Sequence, residues 1–281
     1  MYKIIWGEYM KANLLRNKVI IVTGGDSELS QKLALEIALS KSEVILIGKK
    51  KENLEKPVKV LENIKKKSGR ISPVVCDWHS VSDIEKSILI MKKIAGGFDI
   101  LVFNGINPVI KKIDDITNAD IEKVIDKDLK FNLIFIKLLI KELKSAKKPS
   151  IITISDFTES VGIPYFSLTN IASYAYNGFF ESARRELSGE KIKFMSVRVP
   201  MSKETFSDEC GEKLGKLGFS ENKTDLEVKA IIEGFNDEKP VLLLDKKEKG
   251  TIFSNKFSNR SVDNKFKTIK TKLLNAISSN E

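Results

Sequence analysis

The sequence predicts a single doubly wound α/β sheet of about seven parallel strands with helices on both faces. Three observations predict it. Short apolar runs of strand length recur along the 281 residues, they alternate with stretches of helical period, and the runs are apolar throughout rather than at every second position. A strand that is apolar on both sides is covered on both sides, the environment of a parallel sheet held between two helix layers.

In order, residues 19–23 form the first strand, followed by a helix carrying Leu33, Leu35, Ile37, Ala38 and Leu39. Residues 44–47 form the second, followed by a helix with Leu54, Val58, Leu61 and Ile64 on one face. Strand 73–76, helix 84–95, strand 100–103 and a long helix at 119–146 come next. Strand 151–154, helix 170–187, strand 192–199, helix 225–235 and strand 240–244 complete the alternation. Gly96-Gly97 and Gly189 fall where helices stop, and Pro73 and Pro240 where strands start. No repeat or low-complexity linker divides the run, so residues 17–249 read as one domain with an N-terminal extension at 1–16 and a polar tail at 250–281. In the tail, Val262, Phe266, Ile269, Leu273 and Ile277 recur at helical spacing, an amphipathic helix that either packs on the parent domain or docks on a partner.

Composition narrows the function. Apolar residues make up 42% of the chain, enough for a substantial core. No run approaches the roughly 18 apolar residues of a membrane span; the best candidate, 131–140, is interrupted by Lys137. The first 16 residues scatter Trp6, Glu8 and two lysines with no signal-peptide core, so a cytoplasmic protein without a membrane partner is expected. Two cysteines, Cys76 and Cys210, and one histidine, His79, predict neither a disulfide framework nor a metal site. The net charge of +10 comes from 42 lysines and only six arginines, with no aromatic-plus-basic stripe, so no nucleic-acid partner is expected.

The first strand runs into Thr23-Gly24-Gly25-Asp26-Ser27-Glu28-Leu29-Ser30 and then a helix, the strand-turn-helix geometry by which α/β folds hold a dinucleotide. Across roughly residues 15–245, this turn and the later motifs resemble the short-chain dehydrogenase/reductase family, whose T-G-x-x-x-G-x-G aligns on the turn without a gap. Gly24 is kept, while Glu28 and Ser30 replace the other two glycines. The family's Asp after the third strand, which touches adenine, matches Asp77. Its N-N-A-G matches Phe103-Asn104-Gly105-Ile106, with one asparagine kept. The resemblance implies a Rossmann-like fold and an NAD(P)-dependent oxidoreductase ancestry.

The resemblance also places the reaction centre. Family members carry a serine after the fifth strand, a tyrosine thirteen residues later and a lysine four beyond. Ile154-Ser155-Asp156, Pro164 and Asn177-Gly178-Phe179 anchor the alignment, which puts Asp156, Thr169 and Ser173 in those positions and Asp128 in that of the supporting asparagine. All four are substituted. The family tyrosine moves a proton and its lysine lowers the tyrosine pKa from near 10. Threonine is too weak an acid for that task, and no lysine lies between Lys148 and Lys191. An ionised Asp156 accepts hydrogen bonds where serine would donate one. As substitutes, Ser155 is one residue off and points to the opposite strand face, and Tyr165 lies in the loop. Tyr176 shares the helix face of Thr169 but stands about 10 Å farther along the axis, so both Tyr174 and Tyr176 read as packing residues.

For a cofactor the resemblance implies Thr23, Gly24, Asp26, Lys49, Asp77 and Asn104 as contacts. Glu28 sets a carboxylate near the pyrophosphate, which opposes binding. Lys49-Lys50-Lys51 succeed the second strand, and no acid sits at that strand end to take the ribose hydroxyl, so NADP is implied if a dinucleotide binds, and no cofactor otherwise. Two functional readings are open: a catalytically silent family member acting as a binding or structural subunit, and an NADP-dependent ketone or aldehyde reductase using Ser155 or Tyr165. The family assembles through its fourth and fifth helices, which implies a homo- or hetero-oligomer through 119–146 and 170–187. Substrate choice in the family lies after the sixth strand, here 201–224, with Cys210, Phe206 and Phe219.

Overall fold

The computed structural model describes residues 14–64, 68–77, 80–105, 108–200, 224–244 and 250–251, and in the tail 254–255, 260, 262–264, 266–267 and 270–271. Seven strands form one sheet: β1 (Val19–Val22), β2 (Glu43–Gly48), β3 (Arg70–Val75), β4 (Ile100–Phe103), β5 (Ser150–Ser155), β6 (Lys193–Arg198) and β7 (Val241–Leu243). Their order is β3-β2-β1-β4-β5-β6-β7 and every pairing is parallel. The helices are α1 (Glu28–Leu39), α2 (Lys51–Glu62), α3 (Val81–Ala95), α4 (Asn118–Glu122), α5 (Phe131–Leu143), α6 (Ser167–Glu186) and α7 (Thr224–Asn236).

Strand alternation divides the core in two. Ile20, Val22, Val44, Leu46, Ile100, Val102, Ile152 and Ile154 face one side, where Leu29, Leu33 and Ile37 of α1, Leu54 of α2 and Val228, Ile231 and Phe235 of α7 cover them. Ile21, Ile45, Ile47, Leu101, Phe103 and Ile151 face the other, under Ile84, Ile88 and Met91 of α3, Phe135 and Leu139 of α5, and Leu168, Tyr176 and Phe180 of α6. This is why the strands read as apolar throughout. Each such fully buried side chain contributes about 1.5–3 kcal/mol.

Helix ends obey local chemistry. The Ser27 hydroxyl caps α1 by accepting the Ser30 N–H, Ser80 caps α3 by accepting that of Asp83, and Thr117 with Asp120 forms a capping box on α4. Gly96 ends α3 at φ +77°, where glycine carries no Cβ penalty. The long helix expected at 119–146 is broken into α4, a π-helical stretch at Lys123–Lys130, and α5. A π turn carries one extra residue per turn and is invisible to a 3.6-residue pattern. The described tail residues are helical, with Val262 and Phe266 buried and Asn255 Nδ2 donating to the Ser160 carbonyl at 3.1 Å, so they pack on their own domain. Among the described residues no helix is long and apolar enough to cross a membrane.

The strand order reverses between β1 and β4, which share the register Val22 to Val102. Their two exit loops therefore diverge and open a crevice beyond the carboxyl ends, the position at which open α/β sheets receive ligands.

Candidate functional site

The crevice is floored by Thr23-Gly24 after β1 and Asn104 after β4. Gly24 adopts φ +70°, and a Cβ there would strike the Asn104 carbonyl, so both its conformation and its surroundings require glycine. Asn104 donates its backbone N–H to Thr23 Oγ1 at 2.8 Å, and the Thr23 hydroxyl donates to the Asn104 carbonyl at 3.1 Å. The Asn104 side-chain amide donates to Ser30 Oγ at 3.0 Å and Ser27 Oγ at 3.3 Å, and the Ser30 hydroxyl donates to the Thr23 carbonyl at 3.0 Å. Ser30 is fully buried. In the place of a glycine it fills space and joins the two exit loops.

The charges at this turn are carboxylates. Glu28 stands at the first position of α1 and pairs with Lys32 at 2.8 Å, and Lys32 also meets Asp225 of α7 at 2.9 Å. Asp26 reaches across to the end of β2: its carboxylate accepts the N–H of Lys49 at 2.7 Å, the N–H of Lys50 at 3.0 Å and Asn53 Nδ2 at 3.3 Å. The acid that β2 lacks in sequence is thus supplied from the preceding turn, which removes the premise on which the sequence favoured NADP. Lys49 Nζ points toward the Asp128 carboxylate at 3.8 Å, while Lys51 pairs with Glu55 at 3.6 Å. Asp77 is exposed after β3. The backbone of the turn fits a dinucleotide; the charges around it do not fit the phosphates, because anions already stand at both places where helix N-termini would receive them.

The four residues that the sequence alignment sets at the reaction positions, Asp128, Asp156, Thr169 and Ser173, are all buried. Thr169 Oγ1 accepts the Val109 N–H at 2.8 Å and donates to the Val109 carbonyl at 3.1 Å. Ser173 Oγ lies 2.8 Å from Thr158 Oγ1, and Asn170 stitches the same loop through the carbonyls of Thr158 and Val161. Asp156 accepts the Thr158 N–H at 2.7 Å; burial pushes its carboxyl up to about 6, with Glu159 adding repulsion and the Thr158 bonds opposing. Asp128 lies in the π-helical stretch, and its backbone carbonyl receives both Asn132 Nδ2 and the Tyr176 hydroxyl. Asn132 Nδ2 also donates to that hydroxyl at 3.1 Å, and burial raises the Tyr176 pKa well above its ordinary value.

Tyr176 is therefore a packing residue, edge-on to Phe103 at 5.1 Å. Tyr174 is 45% exposed, so of the two helix tyrosines read as packing residues only Tyr176 is buried. Tyr165 adopts φ +69° in the turn before α6, its carbonyl accepting the Lys111 N–H at 2.9 Å. Ser155 Oγ donates to the Val197 carbonyl at 3.4 Å and, with Ser173 and Tyr174, lines a groove of about 610 Å³ between α6 and β5 to β7; Asp156 and Thr169 do not line it. Ile106, His79, the segment 201–223 with Cys210, Phe206 and Phe219, and Ile269, Leu273 and Ile277 lie outside the described residues.

Residues 18–213 match the pattern of the family described as short chain dehydrogenase. Among curated proteins, the human dehydrogenase/reductase SDR family member 4 is 25% identical over 194 residues, 69% of each chain. A dehydrogenase/reductase SDR family protein 7-like from Anopheles gambiae is 26% identical over 195 residues, 66% of this chain and 59% of that one. Among solved structures, a short-chain dehydrogenase from Streptomyces avermitilis superposes with a TM-score of 0.74 at 16% identity, covering 90% of this chain and 98% of that one. One from Bacillus anthracis superposes at 0.71 and 19%, covering 84% and 98%. At these identities the superpositions show the fold.

Proposed function

The chain belongs to the short-chain dehydrogenase/reductase family, and on that premise we propose that it has no dehydrogenase chemistry of its own and serves as a binding or structural subunit, in a homo-oligomer or beside an active relative. The family is one of oxidoreductases that characteristically use NAD or NADP. The observation that carries the proposal is the closure of Thr169 on Val109: the hydroxyl in the proton-donor position has spent its single hydrogen on a backbone carbonyl. Ser173, in the lysine position, is neutral and engaged with Thr158, so this position supplies no cation to acidify a substitute.

A subunit role draws support from the helix surfaces. Ile171 and Tyr174 of α6 are 47% and 45% exposed, and α5 leaves Phe131, Ile134 and Leu138 half-buried. The test is to incubate the purified full-length chain with NADPH or NADH and a panel of ketones and aldehydes, and to measure its mass by light scattering. No turnover and a dimer or larger assembly are expected. Turnover lost in Ser155→Ala or Tyr165→Phe would establish the reductase reading instead, and a monomer without a co-purifying partner would count against the subunit role.

A further inference from the structure

We infer that the groove between α6 and β5 to β7 is a binding site for a neutral polyhydroxylated ring, a sugar or cyclitol, apart from the crevice at β1 and β4. A parallel strand covered by helices on both sides is apolar on both sides, and β6 departs from that rule. Met195 and Val197 are buried with the α7 side chains, while Phe194, Ser196 and Arg198 alternate onto the other face and are only half-buried. On that face α6 covers Phe103 and Ile151 of β4 and β5, and at the sheet edge Val241 of β7 is left 52% exposed. The space beside α6 measures about 610 Å³, within the range of small-molecule sites.

Its walls carry hydrogen-bonding capacity that the chain does not use. Arg198 Nε donates to Glu159, whose side chain is buried, so the two charges cancel. A guanidinium has five N–H donors, and this bond takes one. Thr153 and Ser196 are register partners on β5 and β6, which sets two hydroxyls side by side on the floor. Asn177 stands in the α6 wall. The side chains of these three residues make no hydrogen bond within the protein. Phe180 and Phe194 add apolar ring surface between the polar groups.

That mixture selects the ligand. An apolar molecule would strip water from Thr153, Ser196, Asn177 and Arg198 and return no hydrogen bonds. An anion would reach Arg198 only by standing beside the Glu159 carboxylate, and at the far end of the groove Glu181 stands with Arg184 and keeps that rim close to neutral. A cation would meet the Arg198 guanidinium. A polyol is neutral and presents a donor and an acceptor on each of several neighbouring carbons. Its hydroxyls can accept from Arg198, exchange hydrogens with Thr153 and Ser196, and both donate to and accept from Asn177. Its C–H face can lie on the phenylalanine rings. Neither Thr23, Gly24 nor Asn104 of the crevice lines the groove, so the inference goes beyond the subunit role and stands whether or not that role holds.

The experiment is a saturation-transfer NMR titration of the full-length chain with methyl glucoside, maltose, cellobiose and myo-inositol, with naphthoate as the anionic control and naphthol as the apolar one. At least one of the four polyols is expected to bind in the millimolar range, and both controls at least tenfold more weakly. Ser196→Trp, which fills the groove, is expected to weaken the polyol at least tenfold. Arg198→Met with Glu159→Gln removes the pair without leaving a buried charge unmatched, and should do the same. Asn177→Ala, a mild change on a half-buried helix position, should weaken it several-fold and decides the matter if the other variants fail to fold. No polyol bound by the wild-type chain, an affinity that the folded variants leave unmoved, or a control bound more tightly than every polyol would overturn the inference. So would a fall in mass of Ser196→Trp by light scattering with no polyol bound by the wild type, which would put a second copy of the chain in the groove.

Discussion

Thr169 and Val109 form a closed pair, in which one hydroxyl receives the N–H and returns its hydrogen to the C=O of the same residue. Thr169 is 1% exposed, so these bonds are made out of water. Thr169→Val keeps the shape and leaves both backbone groups of Val109 unpaired, at a cost of about 1–3 kcal/mol. Thr169→Tyr, which restores the family residue, overpacks the same site and costs a similar amount or more. Urea unfolding should show both losses, with no gain of hydride transfer in Thr169→Tyr even when combined with Ser173→Lys. A double variant that oxidises NADPH would mean the site is open in a way the closed pair forbids.

The pH dependence of stability should carry the mark of Asp156. Burial raises its carboxyl to about 6 in the native state, against about 3.9 for an exposed aspartate, so between those values the native state holds a proton that the unfolded state has released. The unfolded state binds fewer protons there, so stability falls as pH rises through the window and reaches its lowest share from this group above about pH 6. Asp156→Asn cannot ionise and keeps an oxygen for the Thr158 N–H. It should be more stable than wild type near neutral pH, by an amount on the order of 1–3 kcal/mol, and should lose that advantage below about pH 4. Thermal melts across this range check it; parallel curves for the two proteins would place the titration elsewhere.

Ser30 predicts an inversion of the usual motif logic. Returning it to the family glycine takes away the bond to the Thr23 carbonyl and the acceptor for the Asn104 amide, both buried. It also puts glycine inside α1, itself unfavourable by about 0.5–1 kcal/mol against alanine. Ser30→Gly should therefore destabilise the fold by about 2 kcal/mol, measured by denaturant midpoint, while Glu28→Gly at the exposed helix start should cost less. Equal losses would mean that Ser30 is a bystander.

The fold was legible because two helix layers force the strands to be apolar on both faces, and because Gly24 and Gly96 mark turns that only glycine adopts freely. The site was legible as a set of positions and not as a set of contacts. Asp26 and Lys49 are 23 residues apart, and only the sharp exit of β1 beside β2 brings them together. Thr169 and Val109 are 60 apart and meet because the loop after β4 folds back onto the start of α6. The tyrosines show the limit of counting alone. Tyr174 and Tyr176 are separated by about 200° around a helix, so packing one against Phe103 turns the other outward.

That outward turn supplies the last prediction. Ile171 and Tyr174 lie three residues apart on α6, both nearly half exposed, with Ala175 and Gly178 continuing the same small and apolar strip. Gly178 has no atoms near where a Cβ would stand, so the strip offers a partner close backbone approach. If the chain works as a subunit, Ile171→Asp with Tyr174→Glu should bury two charges in the contact and dissociate the assembly, seen as a fall in mass by light scattering. Because neither residue supports the core, thermal stability at equal protomer concentration should drop only by what the contact itself contributes. An unchanged mass would move the interface off α6 and leave the exposed strip without a role.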